Sequence, residues 1–332
     1  MIPATSTPAV PANLHTFEPP LGLRNPHTQT ILGSMGRKLF SSRFENLDRH
    51  ADEQVIELDG IRLKVTLNLQ PDTPLIQLIP GWLGSDQSTY AKSLAQALFD
   101  AGFSVARINL RDHGDTTHLN EGLFNSAAIE EVVALSEYLQ ANFGQRSGGM
   151  LGFSLGGNFA LRVCRAIDVP TLSVCPAIDP ADTMYQIDAN PVYQRYFINK
   201  WRKAWVAKQN AFPGQYDFSE VLNLSTVSAL TDYFVSHHTA FDTTNDYFNA
   251  YDLRGDRLHG INAHIIAAQD DPIIPAAQYT DLPPNLPVSL TRRGGHGAYL
   301  DSWRFSSWID TYAVAFFKQN LQSVLSRKFL EL

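Results

Sequence analysis

The residue best placed to do chemistry is a serine between glycines. Gly152-Phe153-Ser154-Leu155-Gly156 runs directly into Gly157-Asn158. The segment follows the apolar pair Met150-Leu151 and leads into Asn158-Phe159-Ala160-Leu161-Arg162-Val163, a good helix former, so Ser154 reads as a nucleophile on a strand-to-helix turn. Backbone angles at such a turn are strained, and a side chain two residues before or after the serine would collide with its surroundings, which accounts for Gly152 and Gly156. Composition alone produces this pentapeptide in roughly one chain in ten of this length, so the serine's partners decide. A serine hydroxyl is a weak nucleophile at neutral pH and needs a base to take its proton and a carboxylate to fix the base's tautomer. Of the ten histidines, His296 alone sits in a loop suited to this, Gly294-Gly295-His296-Gly297. The acid is expected in Gln269-Asp270-Asp271-Pro272-Ile273-Ile274-Pro275, from Asp271 or Asp270, with Asp179 a more distant third. Serine, acid, histidine is the chain order this kind of elbow takes.

Those loops need strand ends to carry them. Residues 54–70 give two β-rich runs about Asp59-Gly60, a hairpin signal. Strand and helix patterns then alternate: strand 75–79, helix 90–99, strand 104–109, helix 127–139, the serine's strand and helix, and strand 171–175. The alternation stops for about eighty residues and resumes with strand 263–268, a helix near 276–278, strand 287–290 and a last helix over 306–317. Strands separated by single helices imply an α/β fold, a mostly parallel central sheet with helices on both faces. The chain reads as a single domain, 1–332, with an N-terminal arm and helix in 1–50 and a helical insertion over 180–255. Residues 1–20 are rich in Pro, Ser and Thr and are expected to form an extended arm; Asn25 and Pro26 suit the cap and first residue of the helix that follows, with its start packed on the body and, as a less favoured reading, His27 contacting the pocket.

Bulk properties narrow the function classes. The 332 residues are 44% hydrophobic with net charge −7 and a pI near 5.8, so no basic field invites nucleic acid, and none is expected as partner. Cys164 and Cys175 fall in a helix and a strand, suiting two buried reduced thiols and a reducing compartment. With no signal-peptide pattern and no run of eighteen apolar residues, a cytoplasmic location without stable membrane insertion is expected. His113 and His118, beside Asp112 and Asp115, lack the spacing of a ligand set; hydrogen bonds within their loop are expected, and no metal or cofactor.

From about residue 50 to 325 the sequence resembles the α/β-hydrolase superfamily. Besides the elbow and the two later loops, Asn109-Leu110-Arg111-Asp112-His113-Gly114 resembles the family's Arg-Gly-His-Gly loop. Pro80-Gly81-Trp82-Leu83-Gly84 stands where the family places its oxyanion loop, with Pro80 in place of the usual histidine. The resemblance implies Trp82 N–H and Leu155 N–H as the oxyanion donors. The spacing of Asp271 to Pro275 matches the family's acid loop, which favours Asp271 over Asp270. Leu23-Arg24-Asn25-Pro26-His27-Thr28-Gln29-Thr30, taken with the Gly-x-Ser-x-Gly-Gly-Asn elbow, is similar to the YheT-like branch, AB hydrolase family four. That branch implies carboxylic ester hydrolases or lipases, and some relatives pass acyl groups to alcohols.

The insertion is where this fold carries a lid. Tyr193, Phe197, Trp201 and Trp205 recur every four residues, while Arg195, Lys200, Arg202, Lys203 and Lys208 take the other faces. Either the aromatics pack on the core and the charges face water, or the helix docks transiently on anionic lipid. In both cases the aromatic side is expected to border an apolar acyl pocket. The expectation is a serine carboxylic ester hydrolase using Ser154, His296 and Asp271 on a small-molecule or lipid-like ester. Its rivals are an acyltransferase working from the same acyl-enzyme and a hydrolase-fold binding protein without catalysis.

Overall fold

Two β-rich runs fold back on Asp59-Gly60, as expected. Strand β1 (Ala51–Leu58) pairs antiparallel with β2 (Ile61–Asn68), and the two turn residues take φ of 50° and 79°. A computed structural model describes residues 7–11, 17–35, 42–144 and 148–328 of the chain. The hairpin edges an eight-stranded sheet of order β1-β2-β4-β3-β5-β6-β7-β8. The further strands are β3 (Leu75–Ile79), β4 (Ser104–Ile108), β5 (Gly149–Phe153), β6 (Thr171–Val174), β7 (Ala263–Ala268) and β8 (Val288–Thr291). Only the β1/β2 and β2/β4 pairs are antiparallel. Every residue of β3, β4, β5, β6 and β7 is buried, because helices cover both faces of the parallel part.

The helices are α1 (Pro26–Met35), α2 (Glu45–Arg49), α3 (Thr89–Asp100), α4 (Glu130–Phe143), α5 (Leu155–Ile167), α6 (Pro180–Ala189), α7 (Pro191–Ala211), α8 (Val227–His238), α9 (Thr244–Tyr251) and α10 (Trp308–Lys328). Asn25 caps α1, its side chain accepting from Thr28 N–H at 3.0 Å. The largest boundary differences from expectation are in α4, which runs from Glu130 to Phe143 against 127–139, and in α10, which runs eleven residues past 317. Helices α6 to α9 fill the interruption between β6 and β7. Each starts on a side-chain cap, from Asp179, Asn190, Thr226 and Thr243, the first two followed by proline.

Of the expected arm, 1–6 and 12–16 lie outside the described residues. The rest is docked. Ala9 exchanges backbone hydrogen bonds with the Asn320 amide at 2.8 and 2.9 Å, and Phe17 is buried edge-on against Tyr299. Among the described residues, no helix is long and apolar enough to cross a membrane.

Register decides where loops emerge. Ile79 pairs with Gly152, Phe153 with Val174, Val174 with Ile266 and Ala268 with Thr291. The carboxyl ends of β3, β5, β6, β7 and β8 are therefore level, and the loops bearing Trp82, Ser154, Cys175, Asp271 and His296 leave from one edge, where open α/β sheets bind ligands.

Candidate active site

Ser154 is held at φ 54° and ψ −120° between β5 and α5, a conformation that costs of order 1–3 kcal/mol and persists only where its surroundings enforce it. They do so on three sides. Ser154 N–H donates to Val174 O at 2.9 Å. A Cβ on Gly156 would sit 2.3 Å from the carbonyl oxygens of Ile79 and Pro80, so the first turn of α5 presses directly on the end of β3. A Cβ on Gly81 would lie 3.3 Å from Ser154 Cβ, which places the Pro80-Gly81-Trp82 loop against the serine. Leu155 N–H opens α5 and has no carbonyl of its own helix to serve; among the described residues Trp82 N–H also has no acceptor. Both expected oxyanion donors are thus unengaged beside Ser154. Asn158, one turn on, is fully buried and donates to Ala177 O and Tyr251 O at 2.9 and 2.8 Å, tying the elbow to the loop after β6 and to the end of α9.

The two adjacent carboxylates have separate tasks. Asp271 Oδ2 lies 2.9 Å from His296 Nδ1, while its Oδ1 accepts from Ile273 N–H and Ile274 N–H at 2.8 and 3.0 Å. Its side chain is 0% exposed. Asp270 turns the other way, accepting Gly295 N–H at 3.0 Å, and burial raises its carboxyl above the usual range. Asp179 caps α6 and pairs with Arg254. Asp271, the carboxylate favoured by the family loop, therefore faces the imidazole, and Asp270 braces the histidine's loop. Cys175 completes the cluster, its Sγ within 4.8 Å of the Asp271 and His296 ligating atoms. Burial, reinforced by the Asp271 charge, keeps its thiol protonated.

Ser154 and His296 open onto one cavity of about 780 Å³. Its walls are chiefly apolar and come from both layers: Phe153 and Val174 from the sheet, and Met184, Tyr193, Phe197 and Trp201 from α6 and α7. The Trp82 ring stacks on Phe197 at 5.3 Å and meets Trp201 edge-on at 5.0 Å, while Lys200 Nζ donates to Leu83 O at 2.7 Å. Helix α7 therefore grips the Trp82 loop. Ile31, Met35, Val192 and Tyr196 line the cavity and are exposed, which puts them at its mouth.

A family model described as the alpha/beta hydrolase family matches residues 78–305. The chain belongs to the alpha/beta hydrolase family. Among similar proteins, the hydrolase is 24% identical over 331 residues to the "Putative esterase YheT" of Escherichia coli, covering 90% of this chain and 94% of that one. It is 23% identical over 324 residues to an abhydrolase domain-containing protein of Dictyostelium discoideum, covering 91% and 80%. Among solved structures, an esterase of Pyrococcus furiosus superposes with a TM-score of 0.53 at 14% identity over 83% of this chain and 93% of that chain. Est1E from Butyrivibrio proteoclasticus gives 0.52 at 15%, over 82% and 99%. At such identities the two structures speak for the fold.

Two features of the hydrolase depart from the sequence reading. Lys208, expected on the outer face of its helix, is fully buried: its Nζ meets Asp112 Oδ1 at 2.8 Å and the carbonyls of Asn120, Gly122 and Thr117 at 2.5, 3.0 and 3.3 Å. The reason is spacing, since 201, 205 and 208 fall on one helical face and the loop after β4 closes over it. Burial outweighs pairing at both ends, lowering the Lys208 pKa and raising that of Asp112. The neighbouring His113 donates from Nδ1 to Arg111 O at 2.8 Å, and burial pulls its pKa down to about 4. The second is α1, where a helix start packed on the body is the favoured expectation and a pocket contact by His27 the lesser one. His27 reaches Tyr193 of the cavity wall, with Nδ1 2.8 Å from the hydroxyl, whose pKa burial raises to about 12. Gln29 and Thr30 bond the His296 loop. Their signal in the sequence was present: two polar side chains on the face that also carries Gly33.

Proposed function

We propose that the protein is a serine carboxylic ester hydrolase acting on an apolar, lipid-like ester. The observation that carries this is the 2.9 Å contact of His296 Nδ1 with Asp271 Oδ2 in a cavity that Ser154 shares, the serine standing on its strained turn. Ser154 Oγ attacks the ester carbonyl as His296 Nε2 takes its proton; Asp271 fixes the tautomer and stabilises the imidazolium. Trp82 and Leu155 N–H groups receive the developing oxyanion, helped by the positive end of α5. His296 then protonates the leaving alcohol, and water, activated by the same imidazole, releases the acid from Ser154. Helices α6 to α9 serve as the lid. Their aromatic wall and the apolar mouth suit an acyl chain, and a cavity of about 780 Å³ is in the range that holds a drug-sized ligand. The free, buried thiols Cys164 and Cys175 suit a reducing, cytoplasmic setting.

The test is a series of p-nitrophenyl esters from acetyl to palmitoyl with wild type, Ser154→Ala and His296→Ala, beside labelling with a fluorophosphonate. Hydrolysis lost in both variants and label found on Ser154 support the reading. Activity persisting in Ser154→Ala, or no label on the native protein, overturns it.

A further inference from the structure

The loop that carries His296 is built against a helix more than 250 residues away in sequence. Thr30 Oγ1 accepts a hydrogen bond from His296 N–H at 3.0 Å and donates one to Pro26 O at 2.8 Å. Thr30 is 8% exposed and lines the cavity beside the loop it holds. Gln29, fully buried, treats Leu300 as a strand partner, accepting its N–H at 2.7 Å and donating to its carbonyl at 3.0 Å and to Leu23 O at 2.9 Å. Between these anchors the loop lies so close that a Cβ on Gly295, which sits at φ +56°, would come within 2.8 Å of Pro26 O and 2.9 Å of Thr30 Oγ1.

We infer that Thr30 is a positioning residue for His296, and that α1 is the platform on which the base is aimed. The inference rests on the reading of His296 as the general base. The imidazole has two fixed points: Asp271 holds Nδ1 at the tip, and Thr30 holds the main chain at the root. With both in place, Nε2 can point only one way. Releasing the root lets the ring pivot about the Asp271 contact, and a displacement of about 1 Å at a reacting atom can cost about a hundredfold in rate. His27, on the same helix, contacts Tyr193 of α7, so α1 places the base loop and the cavity wall in one frame.

Thr30→Val keeps the shape and removes the hydroxyl; Thr30→Ser keeps the hydroxyl. With kcat expressed per fluorophosphonate-titrated site, Thr30→Val is expected to lower kcat about tenfold, the rate equivalent of about 1.4 kcal/mol and of one buried hydrogen bond, with KM within about twofold. Thr30→Ser should recover kcat to within about threefold of wild type. Equal losses in Val and Ser variants, or a loss that disappears once active sites are counted, overturn the inference in favour of a merely structural contact. Should Thr30→Val not fold, Thr30→Ala against Thr30→Ser makes the same comparison. An inactive His296→Ala beside a fully active Thr30→Val overturns this inference alone; an active His296→Ala overturns the hydrolase mechanism beneath it.

Discussion

Replacing Asp271 by asparagine should disable the base without disturbing its place. The two oxygens of Asp271 are not equivalent: Oδ1 receives the backbone N–H groups of Ile273 and Ile274, and Oδ2 faces His296 Nδ1. In Asp271→Asn those two backbone donors claim the single amide oxygen, so the NH2 group must turn toward His296. An NH2 facing Nδ1 demands an acceptor there, which moves the ring proton to Nε2, the atom that has to take the proton of Ser154. The wrong tautomer is thus imposed by geometry, and the expected loss is about 10³–10⁴ in kcat, or roughly 4–5.5 kcal/mol of transition-state stabilisation. Asp270→Asn is the control. Its amide oxygen can still accept Gly295 N–H, and kcat should stay within about threefold of wild type. Both variants are measured with a p-nitrophenyl ester, per titrated active site, near neutral pH. Retention of more than about a tenth of wild-type kcat by Asp271→Asn, or a fall in Asp270→Asn as deep as its neighbour's, would refute this role for Asp271.

Two stability predictions follow. Lys208→Met leaves the Asp112 carboxylate, 9% exposed, and three loop carbonyls without their cation, and should destabilise the fold by about 3–5 kcal/mol in urea titration; a change under about 1 kcal/mol would show that the pair is not a structural tie. His113 has its pKa lowered from 6.5 to about 4 by burial, so it is neutral when folded and takes up a proton first when unfolded. Its contribution is present in full above pH 6.5 and is lost as the pH falls through about 4, on the order of 3 kcal/mol. His113→Asn, which keeps a donor toward Arg111 O, should therefore flatten the decline of stability between pH 6.5 and 4; an unchanged slope would show that other groups set the acid limit.

What could be read in the sequence was what is local. Strand ends, the elbow and the Gly-Gly-His-Gly loop are each encoded within a few neighbouring residues, and the parallel sheet's level carboxyl edge then brings them together without further instruction. The choice between Asp270 and Asp271 was not local in that sense. Adjacent side chains on a loop point apart, and which one meets His296 depends on Asp271 N–H turning back to Ala268 O and on Ile273 and Ile274 presenting their N–H groups. Caps on the inserted helices stand in the sequence as Asp179-Pro180 and Asn190-Pro191, but a repeating aromatic stripe marks α7 alone. Lys208 and Gln29 share a physical lesson. Each lies on the inward face of its helix, where an apolar residue is the ordinary choice. A charged or amide side chain there is tolerated only if its partners are already in position, because a buried polar group without partners costs about 1–3 kcal/mol. For Lys208 the partners are Asp112 and three carbonyls of the loop after β4; for Gln29 they are the main chain beside His296. A polar residue that breaks an otherwise apolar helical stripe therefore marks the point where a distant loop must arrive, and in this hydrolase one of those loops carries the proposed catalytic base.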